Sequence, residues 1–256
     1  MPTRAVFAMA VLLGGVAFGQ RAAEPMVDRV LVLDAAATPQ DIVDMQHALS
    51  FIAEVPQTTF DRAQGALLFR ATEKQMTAVE WVKRQVDELG IAQAPASRLA
   101  PFEIAGRNGT EAVRAIGFGG PMQKTNFIEI AAAVRTVAEV TYEATFLDRN
   151  TMILRGPADS IELADWLATE MNGPAGKGPG VHERAVAGSG ESARVFALNL
   201  GEPVRGLGDF YKTARAAGID RLWLCYRSKA VAVRGNADQI AATERLIREL
   251  KLYSER

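Results

Sequence analysis

The chain has few side chains that could carry chemistry. Of its 256 residues one is a cysteine, Cys225, and two are histidines, His47 and His182. A single thiol excludes an intrachain disulfide framework and any Cys-cluster metal site, and two imidazoles leave little for a His-built one. An excess of charge of either sign is missing as well, with 29 Lys and Arg against 30 Asp and Glu for a net charge of -1. A dedicated nucleic-acid binder draws its affinity from clustered cations on phosphates, and this balance argues against one. Beyond Gly19 no apolar run is long enough to cross a bilayer. Core-forming material is present in ordinary amount, because a hydrophobic content of 48% excludes wholesale disorder. Length alone permits one large domain or two to three small ones.

The first residues differ from the rest. Arg4 is followed by Ala5 to Phe18 with no polar residue, and then by Gly19-Gln20-Arg21. One basic residue before an apolar stretch of this length is a signal-peptide pattern, and Ala17-Phe18-Gly19 supplies the small-x-small residues of a cleavage site. Residues 1–19 are therefore read as a signal peptide cleaved at about 19–23, with retention as an uncleaved anchor as the other reading. The mature chain is expected in the periplasm, where a lone cysteine is compatible with stable cores.

Three strand-like segments end in arginine: Ala66–Arg70, Thr151–Arg155 and Ala230–Arg234. Each is followed by a small or turn-forming pair and then by a helical pattern. Met76, Ile161 and Ile240 stand at one equivalent position, Val82, Leu167 and Leu246 at a second, and Val86, Met171 and Leu250 at a third. An acid recurs as Glu80, Asp165 and Glu244, and the next position holds Trp81, Trp166 and Arg245. Upstream, a first strand (Val30–Leu33, Val113–Ile116, Val195–Leu198) precedes a helical stretch opening near a proline (Pro39, Pro121, Pro203). A second strand and a short polar turn then lead to the Arg-ending strand. The period is roughly 80 residues, which signals an array of small domains. The expected fold is α+β: three tandem βαββα units, each a short mixed sheet with two helices on one face. Their spans are 28–90, 102–172 and 193–253. Phe102–Ala105 offers an additional strand, and the Gly- and Pro-rich residues 173–192 read as a flexible linker that lets the third unit move.

The candidate chemical sites are weak. Gly173–Gly180 with Lys177 lacks the spacing and the Ser or Thr of a phosphate loop. Gly117–Gly120 lacks the third glycine of a dinucleotide fingerprint. His47 reads as a surface residue of a helix, and Cys225 as a buried, inert thiol. The acids Glu80, Asp165 and Glu244 fall in separate units and read as solvated helix surface. No catalytic, cofactor-binding or metal-ligating residue is assigned, and no cofactor is expected. Arg70, Arg155 and Arg234 have two readings, as structural anchors of the following helix or as contacts to a neighbouring domain or subunit. Trp81 and Trp166 likewise read as flanks of the core or as interface anchors.

The unit ordered as strand, helix, strand, turn, strand ending in Arg-Gly and helix resembles the secretin N-terminal repeat domain. It is also similar to the short domain shared by secretins and TonB-dependent receptors. The third copy carries this best, in Val195–Leu200 and in Ala230-Val-Ala-Val-Arg-Gly through Leu250; the first has Ala71 in place of the glycine, and Gly117–Gly120 interrupts the second. The resemblance implies a non-enzymatic, exported module that binds protein partners in the cell envelope, with self-association possible, as an accessory to a secretion or pilus system. No alternating β region for a pore follows residue 252. An enzyme or small-anion-binding protein using Arg155 and Gly117–Gly120 between units is the alternative. Nucleic-acid binding and a membrane span in the mature chain are not expected.

Overall fold

A computed structural model of the chain describes residues 24–91, 102–106, 109–118, 122–172, 182–198 and 207–250. Residues 1–19, expected to be a signal peptide, and Lys177 lie outside the described residues. The fold is α+β, with three small sheets and six helices among these residues. Unit 1 contains β1 (Val27–Val32), α1 (Pro39–Phe51), β2 (Thr58–Asp61), β3 (Ala66–Ala71) and α2 (Glu73–Ile91). Unit 2 opens with β4 (Phe102–Gly106), followed by β5 (Gly109–Gly117), α3 (Lys124–Ala138), β6 (Tyr142–Phe146), β7 (Thr151–Gly156) and α4 (Ala158–Asn172). Unit 3 comprises β8 (His182–Val186), β9 (Glu191–Ala197), α5 (Leu207–Ala216), β10 (Leu222–Cys225), β11 (Ala230–Gly235) and α6 (Ala237–Glu249).

The sheet orders are β1-β3-β2, β4-β5-β7-β6 and β8-β9-β11-β10. Every strand pair is antiparallel, which corrects the expected mixed sheet. The two strands that flank the Arg-ending strand (β1 and β2, β5 and β6, β9 and β10) do run parallel, but that strand lies between them, so they never share hydrogen bonds. Among the described residues units 2 and 3 carry four strands and unit 1 carries three. Phe102–Ala105 was visible as a strand candidate, whereas β8 falls inside the stretch expected to be a linker. The third unit therefore starts earlier than residue 193.

Local chemistry fixes where the helices begin. Thr38 and Asp41 form a reciprocal capping box ahead of Pro39, and Asn236 and Gln239 form the equivalent box on α6. Thr72 and Gln75 exchange the same two bonds, at 2.9 and 3.2 Å, at the start of α2. The glycine after Arg234 serves this cap. A Cβ on Gly235 would lie 2.8 Å from the Gln239 Cβ, closer than side-chain carbons approach.

Strand alternation then decides what each sheet faces. On β7, Met152 and Leu154 join the core made with α3 and α4 of the same unit. Ile153 points the opposite way, into a core with Leu49, Ile52, Val79 and Val82 from the helices of unit 1. On sheet 3, Phe196, Val231 and Val233 meet Phe210, Ala214 and Ile247 of their own helices. Val195, Cys225 and Ala232 face Val134 and Val137 of unit 2 instead. The molecule is thus a stack of sheet, helices, sheet, helices, sheet and helices. Each helix pair of the first two units is sandwiched between its own sheet and the next one.

This layering supplies what single units lack. A helix-sheet unit near 60 residues is marginal alone, because it buries too small a fraction of its apolar surface. A second contact face adds about 1.5–3 kcal/mol for each large apolar side chain that it buries. Sheet 3 is seated on α3 and α4, and residues 173–181 of the expected linker lie outside the described residues.

Candidate functional site

The recurring arginines occupy one register position in three environments. Arg155 pairs across the strands with Val113, Arg234 with Ala193 and Arg70 with Asp28. All three lie on the sheet face turned away from their own helices.

Arg155 is 0% exposed, at the boundary between units 1 and 2. Its Nη1 donates to the Ile52 carbonyl at 2.9 Å, its Nη2 to Glu54 at 2.9 Å and its Nε to Glu111 at 2.6 Å. The Tyr142 ring lies 5.3 Å from the guanidinium carbon. A buried guanidinium persists only when it is paired and hydrogen-bonded in this way. The alternative reading placed a small anion on Arg155, and each of its nitrogens is already engaged by the protein. Of the loop assigned with it, Gly119 and Gly120 lie outside the described residues.

Arg234 repeats the arrangement between units 2 and 3. It donates to Glu139 at 3.1 Å and to Glu191 at 2.9 Å, and Arg221 joins both carboxylates. Glu54 and Glu139 are equivalent residues, one just beyond α1 and the other the C-cap of α3. Both adopt left-handed backbone, with φ of 55° and 54°. A side chain at such an angle costs roughly 1–2 kcal/mol relative to glycine. The strain places the carboxylate against the arginine of the following unit.

Two further positions repeat. Asp44 of α1 accepts the Leu147 N–H of unit 2 at 3.3 Å, and Glu129 of α3 accepts the Arg227 N–H of unit 3 at 3.0 Å. Asp41 receives Arg149 at 2.9 Å, while Asn126 accepts the Ser228 hydroxyl at 2.9 Å. Each first helix, with the residue just past it, therefore grips the turn and the Arg-ending strand of the next sheet through the same three positions. Burial pushes the Asp44 carboxyl above its usual value, against the hydrogen bonds that it accepts.

The last unit lacks these groups. The triplets Ala53-Glu54-Val55 and Ala138-Glu139-Val140 become Ala217-Gly218-Ile219. Gly218 keeps the left-handed angle at φ 73° and has no carboxylate. Gly208 stands where Asp44 and Glu129 are, counted back from that residue. The outward surface of α5 and α6 is polar, with Lys212, Arg215, Asp238, Arg245 and Arg248 exposed.

The tryptophans also sit near unit boundaries. Trp81 is buried on α2 and stacks on Phe102 of β4, with centroids 5.7 Å apart and planes 19° from parallel. Trp166 is half-buried against the core that joins unit 2 to sheet 3. Arg245, at the same repeat position on α6, is exposed.

Sequence reasoning missed one recurrent set. Arg29, Arg114 and Arg194 share a register position on the first strands, facing their own helices. Arg114 pairs with Asp165 at 3.4 Å and Arg194 with Glu244 at 3.6 Å, so two of the acids expected to be solvated are held by ion pairs. Glu80 is exposed, and Arg29 turns to Glu73 instead. His47 is exposed, and His182 stands in β8 rather than in a linker, 2.8 Å from Glu170. Cys225 is buried under α3, where desolvation first and Glu129 second push its thiol far above the usual range.

A groove of about 420 Å³ lies between α2 and β4, lined by Lys74, Glu54, Glu103, Gln75 and apolar groups. Its charges are two acids against one lysine. Among the described residues no group of three or more His, Cys, Asp or Glu is placed to hold a metal ion, and no helix is long and apolar enough to cross a membrane.

No protein-family model and no curated protein matches the chain. Solved structures similar to it include that of Aeromonas hydrophila ExeD, at 12% identity and TM-score 0.20, covering 90% of this chain and 42% of that one. Another is the structure of XcpQN012, at 12% identity and TM-score 0.28, covering 89% of this chain and 100% of that one. A third is the cryo-electron microscopy structure of the ETEC pilotin–secretin AspS–GspD complex, at 11% identity and TM-score 0.21, covering 89% of this chain and 38% of that one. The chain thus spans less than half the length of the first and third of these.

Proposed function

We propose that this chain is an exported, non-enzymatic assembly module that works by protein–protein contact in the periplasm, as an accessory to a secretion or pilus machine. One observation carries the reading: the unit is built to be stacked on. Its sheet takes apolar helices on one side from its own sequence and on the other from a neighbour, with Arg155 or Arg234 as the polar register mark between them. Side-chain chemistry is spent on these faces. The buried thiol lies inside a boundary between units, and Arg155 with Glu54 and Arg234 with Glu139 hold units together. The Arg-ending strand pattern that resembles secretin N-terminal domains supports the envelope setting, and the apolar N-terminal segment supports export.

The test combines fractionation with co-purification. The protein is expected in the periplasmic fraction with its N-terminus processed, bound in stoichiometric amount to a component of a secretion or pilus system. A cytoplasmic location, or a strict monomer by light scattering with no envelope partner, overturns it.

A further inference from the structure

Among the described residues sheets 2 and 3 have both faces covered, and sheet 1 has one. The residues on its outer face are identified by register with those buried elsewhere. Val30 stands where Ala115 and Val195 are, Leu68 where Ile153 and Ala232 are, and Arg70 where Arg155 and Arg234 are. Ala115, Val195, Ile153 and Ala232 are buried by the helices of the preceding unit. Val30 and Val32 are 56% and 62% exposed. The Arg70 side chain is 66% exposed, and its partners among the described residues are Asp28 at 3.3 Å, itself almost fully exposed, and the Met26 carbonyl at 3.1 Å.

We propose that this face, made by Val30, Val32, Leu68 and Arg70, docks an amphipathic helix of a different protein that carries a carboxylate just past its last turn, where Arg70 receives it. The inference rests on the assembly reading above and names the kind of partner. Two boundaries inside the chain set the precedent. In each, a helix lies on the outer sheet face and a glutamate beyond its end meets the strand-end arginine. The apolar part of the docking helix belongs over β1 and β3, because β2 presents Thr59 and Asp61 to this side. A second copy does not supply the match. The helix pair left uncovered among the described residues, α5 with α6, is polar outside and has Gly218 where the glutamate is needed. Stacked arrays close their ends with such a polar cap, so the stack has one finished end and one open end. Arg70 selects for a carboxylate, since a guanidinium covered without a partner is strongly disfavoured.

The experiment places the photo-cross-linking residue p-benzoylphenylalanine at Val30 or Val32 of the full chain in its native cells, with Arg245 as a control on the capped end. The expected product joins Val30 or Val32 to a helix of another protein, within about one turn of an Asp or Glu. Arg70→Glu should lower the yield at least about tenfold, the scale for a broken desolvated ion pair. Changing the partner's acid to Lys in the same cells should restore it. A product with a second copy, with residues 1–23 of the same chain, or with a strand or loop of the partner overturns the proposal, as does a product indifferent to Arg70→Glu. Product at Arg245 with none at Val30 or Val32 overturns it and leaves the assembly reading standing. Product at none of the three positions overturns both.

Discussion

Alanine at each of the three recurring arginines tests the stacking most sharply, because one sequence position is sampled in three settings. Arg155→Ala leaves the Ile52 carbonyl and the carboxylates of Glu54 and Glu111 without their donor in a closed boundary. Breaking a buried pair from one side costs about 3–5 kcal/mol. The lower end applies, since Glu54 is 38% exposed and can turn to water. Arg234 is 12% exposed, and Arg221 stays to hold both Glu139 and Glu191, so its loss should cost about 1–2 kcal/mol. Arg70 is an exposed surface pair, worth at most about 0.5 kcal/mol. The assay is urea denaturation followed by far-ultraviolet circular dichroism, with all three variants compared at a common denaturant concentration. The order Arg155 over Arg234 over Arg70 is expected. An Arg155→Ala variant within about 1 kcal/mol of wild type, or an Arg70→Ala variant that costs as much as Arg155→Ala, would refute the reasoning.

Two other predictions concern the carboxylates. At Glu54, substitution by Ala removes the ion pair and keeps the left-handed strain, whereas Gly removes both; Gly should be the more stable variant by about 1 kcal/mol in thermal melts, despite its usual entropic cost. Burial raises the Glu191 carboxyl, but the bonds from Arg221 and Arg234 outweigh it and hold the group below its ordinary 4.5. A lowered folded value stabilises above the unfolded one and is lost as pH falls through the folded one. Urea midpoints should therefore drop as pH falls below about 4.5, and Glu191→Gln should flatten that slope; an unchanged slope contradicts the pairing.

Much of this was legible in the residues. Recurrence of Arg70, Arg155 and Arg234 marked three units, and 3.6-residue periodicity located the helices. The sheet partners were harder, since nothing in a second strand tells whether the third will pair on its inner or outer side. Hence the expectation of mixed sheets. Composition misled at β8: the glycines and prolines after Asn172 read as one connector, and a five-residue strand beginning at His182 was hidden at its end. The double-sided burial left no trace, because Ala230-Val-Ala-Val of β11 and Ala66-Leu-Leu-Phe of β3 are both apolar on both faces, although only the first is covered on both sides among the described residues. The Ala-Glu-Val triplets after the first helices were visible. Their meaning depends on which sheet lies across from them, and that is a tertiary fact.

The layering itself is tested most directly by the lone thiol. Cys225 is shielded by α3 of the preceding unit rather than by its own helices, so its reactivity reports whether sheet 3 is seated. In native buffer near pH 8, a thiol reagent should modify it at least about a hundredfold more slowly than in the unfolded chain, because modification waits for an opening event. Glu139→Lys, which loosens that boundary, should accelerate it while the circular dichroism stays native. Labelling of the wild-type protein at the unfolded rate, with native circular dichroism, would show that the outer face of sheet 3 is uncovered and would contradict the stack.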